Sequence, residues 1–371
     1  METPILSFCI PVYNQVHMVE KVVKQILLYP EDDIEIVISD DCSTEDIQGM
    51  LEKIGDKRIK YFRNSDNLGH DLNIIRSFKR AKGTYGFLLR ARDGVVPDSI
   101  KEIIRIIKRE QPVSYLTGEA IDEEAKWKIR YSESKMIIER NECLKAHYSL
   151  YVHPSGSIYN IKLLDLDNIE QFLKENIETK FSFIAHNLFR SALSIYGNFY
   201  ILKMPTWIYT NTEKSKDIAV NRMSNGFSVY SSELIIRRYN AECKWIKQIM
   251  ANEADLLCYA LIHLFKEYLY QVTWGQRRRN RNPGIVAHYQ IVPTKSNIRN
   301  DTKKIYALLC EHMKDVSLNR EDFLTVKKET KRIIFNNSTY GRFRYLMACL
   351  LDAMHIKPIF DTWRRKHENK Y

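Results

Sequence analysis

Long hydrophobic runs are missing from this chain. No stretch approaches eighteen uncharged apolar residues, so no transmembrane helix is expected. The opening residues Met1-Glu2-Thr3-Pro4 lack a basic n-region and a long apolar segment, so no secretory signal is expected. There is no CxxC pair. The seven cysteines, Cys9, Cys42, Cys143, Cys243, Cys258, Cys310 and Cys349, are scattered and odd in number. That argues against a disulfide framework or a zinc site and for reduced, mostly buried thiols in a cytosolic protein. Internal repeats and low-complexity tracts are also missing.

The composition is that of a globular protein. The 371 residues are 44% hydrophobic and 28% charged, and the length suits two domains. The net charge is +11. That balance favours polyanions, anionic membrane surfaces or phosphate-bearing substrates without choosing among them.

The first hundred residues alternate between two patterns. The apolar run Ile5 to Ile10, bounded by Pro11, and the stretches Ile34 to Ile38, Arg58 to Phe62 and Tyr85 to Leu89 read as strands. Between and after them, apolar residues at helical spacing predict helices over Val16 to Leu28, Thr44 to Ile54 (capped by Ser43), Asp71 to Ala81 and Pro97 to Lys108. This alternation with short links implies a parallel sheet covered on both faces. In such sheets ligands bind beyond the carboxyl ends of the strands.

From Val113 to Tyr209 the pattern is less regular. Short strands at Val113 to Leu116, Ile158 to Tyr159, Phe199 to Leu202 and Trp207 to Tyr209 mix with helices over Leu163 to Lys174 and Phe183 to Ser194. The polar stretch Thr210 to Lys216 reads as a linker. Beyond it the chain looks helical, over Ser232 to Ala251, Ala254 to Val272, Thr302 to Met313, Glu321 to Phe335 and Arg342 to Met354. The domains expected are 1–215 and 216–371.

Chemistry is expected at the strand ends. The first strand ends in Pro11-Val12-Tyr13-Asn14, the second in Asp40-Asp41-Cys42-Ser43, and the fourth in Arg90-Ala91-Arg92-Asp93. Between the last two lies Asn64-Ser65-Asp66-Asn67-Leu68-Gly69-His70-Asp71-Leu72-Asn73. An Asp-Ser helix cap would explain Asp40 and Asp41 without a ligand, and a glycine turn would explain Gly69.

The stretches "SFCIPVYNQ", "IEIVISDDCSTED" and "RIKYFRNSDNLGHDLNIIRSFKRAKGTYGFLL", with the strand-end Asp93, resemble family-2-type glycosyltransferases of the GT-A fold. The nearest branch builds bacterial surface polysaccharides, as abequosyltransferase-like and capsule enzymes do. The resemblance covers about Ile5 to Ser99 and continues faintly to Tyr209. It implies a GT-A-like, mostly parallel α/β sheet flanked by helices, followed by a mainly helical C-terminal domain. It further implies inverting transfer of a sugar from a nucleotide-sugar donor, UDP-linked, to a glycan or lipid-linked glycan acceptor.

The resemblance also implies site roles. Pro11 and Tyr13 would border the nucleotide base, and Asp40 or Asp41 would accept from a uracil-type N–H. Asn67, Gly69, Asn73 and Arg76 would approach the donor at a helix N-terminus, where free amides favour anions. His153, Ser155 and Gly156, within a small-residue loop, would lie near the acceptor; a plain turn fits them equally well.

At the fourth strand end the sequence departs from the family. Where Asp-x-Asp is usual, only the last aspartate, Asp93, remains, with Ala91 and Arg92 before it. Four readings stay open: weak Mn2+ or Mg2+ binding at Asp93; direct pairing of Arg90 or Arg92 with the diphosphate; a non-catalytic binding or assembly subunit; or a salt-bridged turn. The family's general base falls near residues 178–187, which place no carboxylate squarely. His186 is the candidate base, with Glu178 and Asp122 weaker ones.

Basic–aromatic clusters at Trp274 to Arg281, Arg342 to Tyr345 and Trp363 to Lys366 suit an anionic membrane surface or a solvated face. No nucleic-acid module is recognised. Oligomerisation through the helical half is open. The expected location is the cytoplasm, at the inner face of the membrane.

Overall fold

The computed structural model describes residues 3–110, 113–149, 153–177, 183–210, 223–224, 227–228, 231–275, 295–314 and positions 316, 328 and 331. The chain forms two compact units, Met1–Ala260 and Leu261–Tyr371. The expected boundary near 215 and the expected helices beyond 320 lie outside the described residues, as do Glu178, Cys349 and the two C-terminal basic–aromatic clusters. Of the cluster beginning at Trp274, only the backbone of residues 274 and 275 is described.

The first unit is built on one mixed sheet. Its strands are β1 Leu6–Val12, β2 Ile34–Asp40, β3 Ile59–Arg63, β4 Tyr85–Leu88, β5 Gly94–Val95, β6 Tyr115–Asp122, β7 Trp127–Ile129, β8 Lys135–Ile137, β9 Ser157–Asn160 and β10 Phe199–Tyr209. The order is β3-β2-β1-β4-β9-β6-β10-β5, with β7 beside β6 and β8 beside β10. The first four strands are parallel, as the alternating pattern requires. Then β9 enters antiparallel to both β4 and β6, so the second half of the sheet is mixed.

Alternation along β1 divides two cores. Phe8 and Ile10 face a layer containing α1 Val16–Leu27, α2 Ile47–Ile54 and α4 Pro97–Arg109. Cys9 faces the other layer, with Ile74 and Phe78 of α3 His70–Arg80, Phe172 of α6 Leu166–Asn176, Leu188 of α7 Ala185–Ser194, and Trp245 of the helix Ser232–Ile249. Phe8 and Phe87 stack across the β1–β4 pair with ring centroids 5.1 Å apart. Central strands buried on both faces need continuous apolar runs, which is why their sequence reads so clearly.

Several expectations are corrected. Pro11 does not end β1, which runs to Val12. Pairing with β4 stops at Cys9, so the missing proline N–H falls beyond that neighbour. α2 begins at Ile47, and its cap is Asp46, which accepts from the Gly49 amide at 2.8 Å, rather than Ser43. Ser43 is occupied elsewhere: its hydroxyl donates to Asp40 and accepts from the Asn14 amide. The two short strands read at 199–202 and 207–209 are one strand, β10, with register shifts around Pro205. The strands β7 and β8 and the helix α5 Arg140–Ser149 were not anticipated. Within α5, Leu144 is the one large aliphatic buried beside Cys143, Ala146 and His147, so the helix has little periodic signal.

In the second unit the described part is helical. It comprises the end of the helix Ala254–Tyr270, one π turn at Gln271–Gly275 and the helix Lys295–Met313. Among the described residues, no helix is long and apolar enough to cross a membrane. None of the six described cysteines forms a disulfide.

Candidate active site

A cleft of about 570 Å³ opens beyond the carboxyl ends of β1, β2 and β4. That volume is within the usual range for small-ligand sites. Pro11 to Met18 supply one wall, Asp41 and Glu45 a second, Asn67, Gly69, His70 and Asn73 a third, and Arg90 to Arg92 a fourth, with Phe183 at its edge. Backbone strain gathers around it. Of the six described non-glycine residues at positive φ, Asn14, Gln15 and Phe183 line the cleft, and Cys42 follows Asp41.

The β2 end is a hydrogen-bonded scaffold. Asp41 accepts from Asn64 Nδ2 at 2.9 Å and from the amides of Leu68 and Gly69 at 2.8 Å each. This carboxylate therefore folds the 64–69 loop over the cleft. Asn73 ties the floor together: its Oδ1 accepts from Ser39 Oγ at 2.6 Å, and its Nδ2 donates to the Ser39 carbonyl at 2.9 Å. Arg80 completes the network on Ser39 Oγ and Asn64 Oδ1, both at 2.8 Å.

Asp40 is placed differently. It accepts from the Ser43 amide and hydroxyl on one oxygen, and from Tyr61 Oη at 2.6 Å and Arg63 Nη1 at 2.8 Å on the other. Its side chain is fully covered. Of the acidic pair, the structure brings Asp41 and not Asp40 to the cleft wall. Arg76 also lies off the cleft, paired with Glu170 of α6 at 2.9 Å.

The β4 end answers to different chemistry. Arg90 Nε donates to Asp93 Oδ2 at 2.8 Å, and Ser155 Oγ donates to the same oxygen at 2.5 Å. The Thr210 amide reaches Asp93 Oδ1 at 3.3 Å. Ser155 Oγ also accepts from the Arg90 amide at 3.1 Å. Asp93 is fully covered, and Ser155 and Gly156 are buried behind it. Gly156 has φ +85, and a Cβ there would come within 2.2 Å of the Trp207 indole. Only glycine lets this loop pass Trp207 and deliver Ser155 to Asp93. His153 stacks on Trp207 at 4.8 Å.

A resident divalent cation does not fit this arrangement. Both Asp93 oxygens are engaged by donors, and the Arg90 guanidinium already balances the charge of this carboxylate. Among the described residues, no group of three or more His, Cys, Asp or Glu is arranged to hold a metal. An oxygen-rich, anionic ligand shell is what Mg2+ or Mn2+ requires.

His186 lies on α7, outside the cleft lining. Desolvation drives its imidazole well below the usual range; Asp71 opposes this, while Arg190, His70 and Arg238 add to it. Burial, then Arg190 and His186, does the same to His147; burial, then Arg90, His186 and Arg92, does so to His153. The folded chain therefore resists protonating these rings below about pH 6.5, where the unfolded chain takes up protons. Stability is intact above that pH and is expected to fall below it, by up to about 1.4 kcal/mol per pH unit for each ring. Urea midpoints at pH 7.5, 6 and 5 check this; equal midpoints would remove the effect.

Sequence reasoning missed His70 as a side chain in its own right. It lines the cleft, its Nδ1 lies 3.2 Å from Asp71 Oδ1, and its ring packs on Phe183 at 4.3 Å. Its place directly after Asn67-Leu68-Gly69, at the start of α3, is the local signal for it. Arg80 and Phe183 gave none, because their roles depend on distant partners.

Residues 7–166 match the family model described as glycosyl transferase family 2. Abequosyltransferase RfbV of Salmonella typhimurium is 36% identical over 101 residues, covering 26% of this chain and 30% of that protein. The GalNAc(5)-diNAcBac-PP-undecaprenol beta-1,3-glucosyltransferase of Campylobacter jejuni is 24% identical over 200 residues, covering 50% of this chain and 64% of that one. This chain thus spans under two thirds of either relative. Among solved structures, S. aureus TarS 1-349 aligns at 14% identity and TM-score 0.47, covering 85% of this chain and 93% of that one. Over residues 7–166, under half of its length, the chain is similar to glycosyl transferase family 2.

Proposed function

We propose that this protein is a glycosyltransferase that moves a sugar from a UDP-linked donor to a bacterial surface-glycan acceptor, with inversion at the anomeric carbon. The observation that carries the reading is the cleft itself. It opens beyond the parallel strands of the stretch similar to family 2, with a loop-holding carboxylate at the β2 end and arginines at the β4 end, which supports this reading. The two relatives named for abequosyl and lipid-linked glucosyl transfer support a surface-glycan acceptor. The nucleoside would lie against Pro11, Tyr13 and Asp41, and the diphosphate toward Arg90 and Arg92. In this reading the enzyme works in the cytoplasm, where nucleotide sugars are made, and meets a lipid-linked acceptor at the membrane surface.

The acceptor hydroxyl oxygen bonds to the anomeric carbon as the bond from that carbon to the diphosphate oxygen breaks. The electron pair leaves on the diphosphate, and the hydroxyl proton passes to a base. The reading gives the base role to His70 rather than His186. The reading takes the tautomer in which Nδ1–H donates to Asp71 Oδ1, 3.2 Å away, which leaves Nε2 of this cleft-lining ring as the proton acceptor.

UDP release is the test, measured with a panel of UDP-sugars and lipid-linked oligosaccharides as acceptors. One donor should turn over. His70→Asn should lower kcat by about 100-fold with KM little changed, and His186→Asn should not. Absence of turnover with every pair would instead support a binding or assembly subunit. Wild-type kcat in His70→Asn would remove that residue as base.

A further inference from the structure

We infer that the diphosphate of the donor is held by Arg90 and Arg92 in place of a divalent cation, with Asp93 as the residue that positions Arg90. The inference rests on the glycosyltransferase reading and deepens it at one end of the cleft.

Three observations carry it. First, Asp93 is spent. Its Oδ2 takes Arg90 Nε and the Ser155 hydroxyl, its Oδ1 takes the Thr210 amide, and its side chain is fully covered. A carboxylate with these partners anchors a guanidinium, and its burial keeps it from offering the open, anionic oxygen shell that a divalent cation takes. Second, Arg90 is over-supplied with donors. Its side chain is only 19% exposed, yet Nη2 is buried without a hydrogen-bond partner. Leaving a charged donor unpaired in a covered position is costly, and a ligand oxygen would satisfy it. Third, charge is segregated across the cleft. The acids Asp41 and Glu45 follow β2, whereas Arg90 and Arg92 follow β4, and β1 separates those strands.

Each acid at the β2 end is already turned to backbone amides. Asp41 serves Leu68 and Gly69, and Glu45 serves Val16 at 2.7 Å. The N-termini of α1 and α3 begin at the cleft wall, and these two carboxylates sit on them, so they add no free positive potential to the site. Strand spacing puts the β2 and β4 ends roughly 10 Å apart, about the reach from a pyrimidine ring to its terminal phosphate.

A guanidinium offers planar, paired donors suited to phosphate oxygens, and it keeps its charge at every working pH. Fixed by Asp93 and Ser155, it is in place before the donor arrives. It can stabilise the negative charge that builds on the leaving diphosphate without coordinating anything.

Calorimetric titration of the full-length protein tests this, with UDP, UMP and uridine as probes, first in EDTA and then in Mn2+. UDP should bind within about threefold of the same Kd in both, and at least tenfold more tightly than uridine. Arg92→Met should erase most of the UDP advantage while leaving uridine affinity within about twofold. Arg90→Lys should keep the fold and lose part of that advantage. A tenfold or greater loss of UDP affinity in EDTA, with uridine binding intact, overturns the inference and leaves the glycosyltransferase reading standing. Wild-type UDP affinity in Arg92→Met also overturns it. Absence of binding by any probe in either condition overturns both.

Discussion

Asp93→Asn is expected to lower glycosyl transfer by at least about 100-fold and UDP affinity by at least about tenfold, with uridine affinity unchanged. The carboxylate is fully covered and holds Arg90 Nε and Ser155 Oγ on one oxygen. An asparagine there puts an amide where two donors expect an acceptor, or leaves one neutral oxygen to hold a guanidinium. Breaking a buried ion pair by removing one partner typically costs about 3 kcal/mol, so a fall in urea midpoint accompanies the loss. The two causes separate in the titration. If Asp93 positions Arg90, excess Mn2+ does not restore the variant, and only diphosphate-bearing probes bind less well. If Asp93 binds a cation instead, raising Mn2+ restores part of the transfer. Recovery of that kind, or normal turnover in the variant, would sink the positioning role.

Asp41→Ala should be the most destabilising single change at the other end of the cleft. The carboxylate is the acceptor for two backbone amides, Leu68 and Gly69, and for Asn64 Nδ2. Each buried donor left without an acceptor costs about 1–3 kcal/mol. Partial rehydration through the cleft offsets some of this, so a net loss of roughly 3 kcal/mol is expected. The 64–69 loop would no longer be held, so uridine and UDP should weaken together, by about tenfold or more. That parallel loss contrasts with the diphosphate-selective loss in Asp93→Asn. Unfolding in urea and the same two probes measure it. A variant with the wild-type midpoint and uridine affinity would show that the loop stands without this carboxylate. Asp40→Asn should also cost stability, through Tyr61 and Arg63. It should leave nucleoside contacts alone, since Asp40 does not line the cleft.

The parallel half of the sheet was legible because burial on both faces demands apolar runs such as Phe8 to Ile10 and Ile36 to Ile38. Helices α1 and α3 were legible because each buries one stripe, Val19, Val22, Val23 and Ile26 in the first. The second half was harder to read. Strands of three residues, such as β7 and β8, are too short to show alternation. Pro205 divides β10 into two apparent strands.

The sequence by itself determined the layered α/β architecture, the strand ends at which a ligand would bind, and the departure from the family pattern at Arg90 to Asp93. Only the tertiary structure decided what those residues do. Asp40 and Asp41 are adjacent in the chain, but at the end of β2 one turns to Ser43, Tyr61 and Arg63 and the other to the 64–69 loop. Asp93 is two residues from an alanine that the family pattern would make acidic. Its role is set by Ser155 and Thr210, which are 62 and 117 residues away. Contacts of that separation leave no local pattern to read. They exist because the antiparallel strand β9 brings the loop before it to the end of β4, and β10 carries Thr210 to the same point.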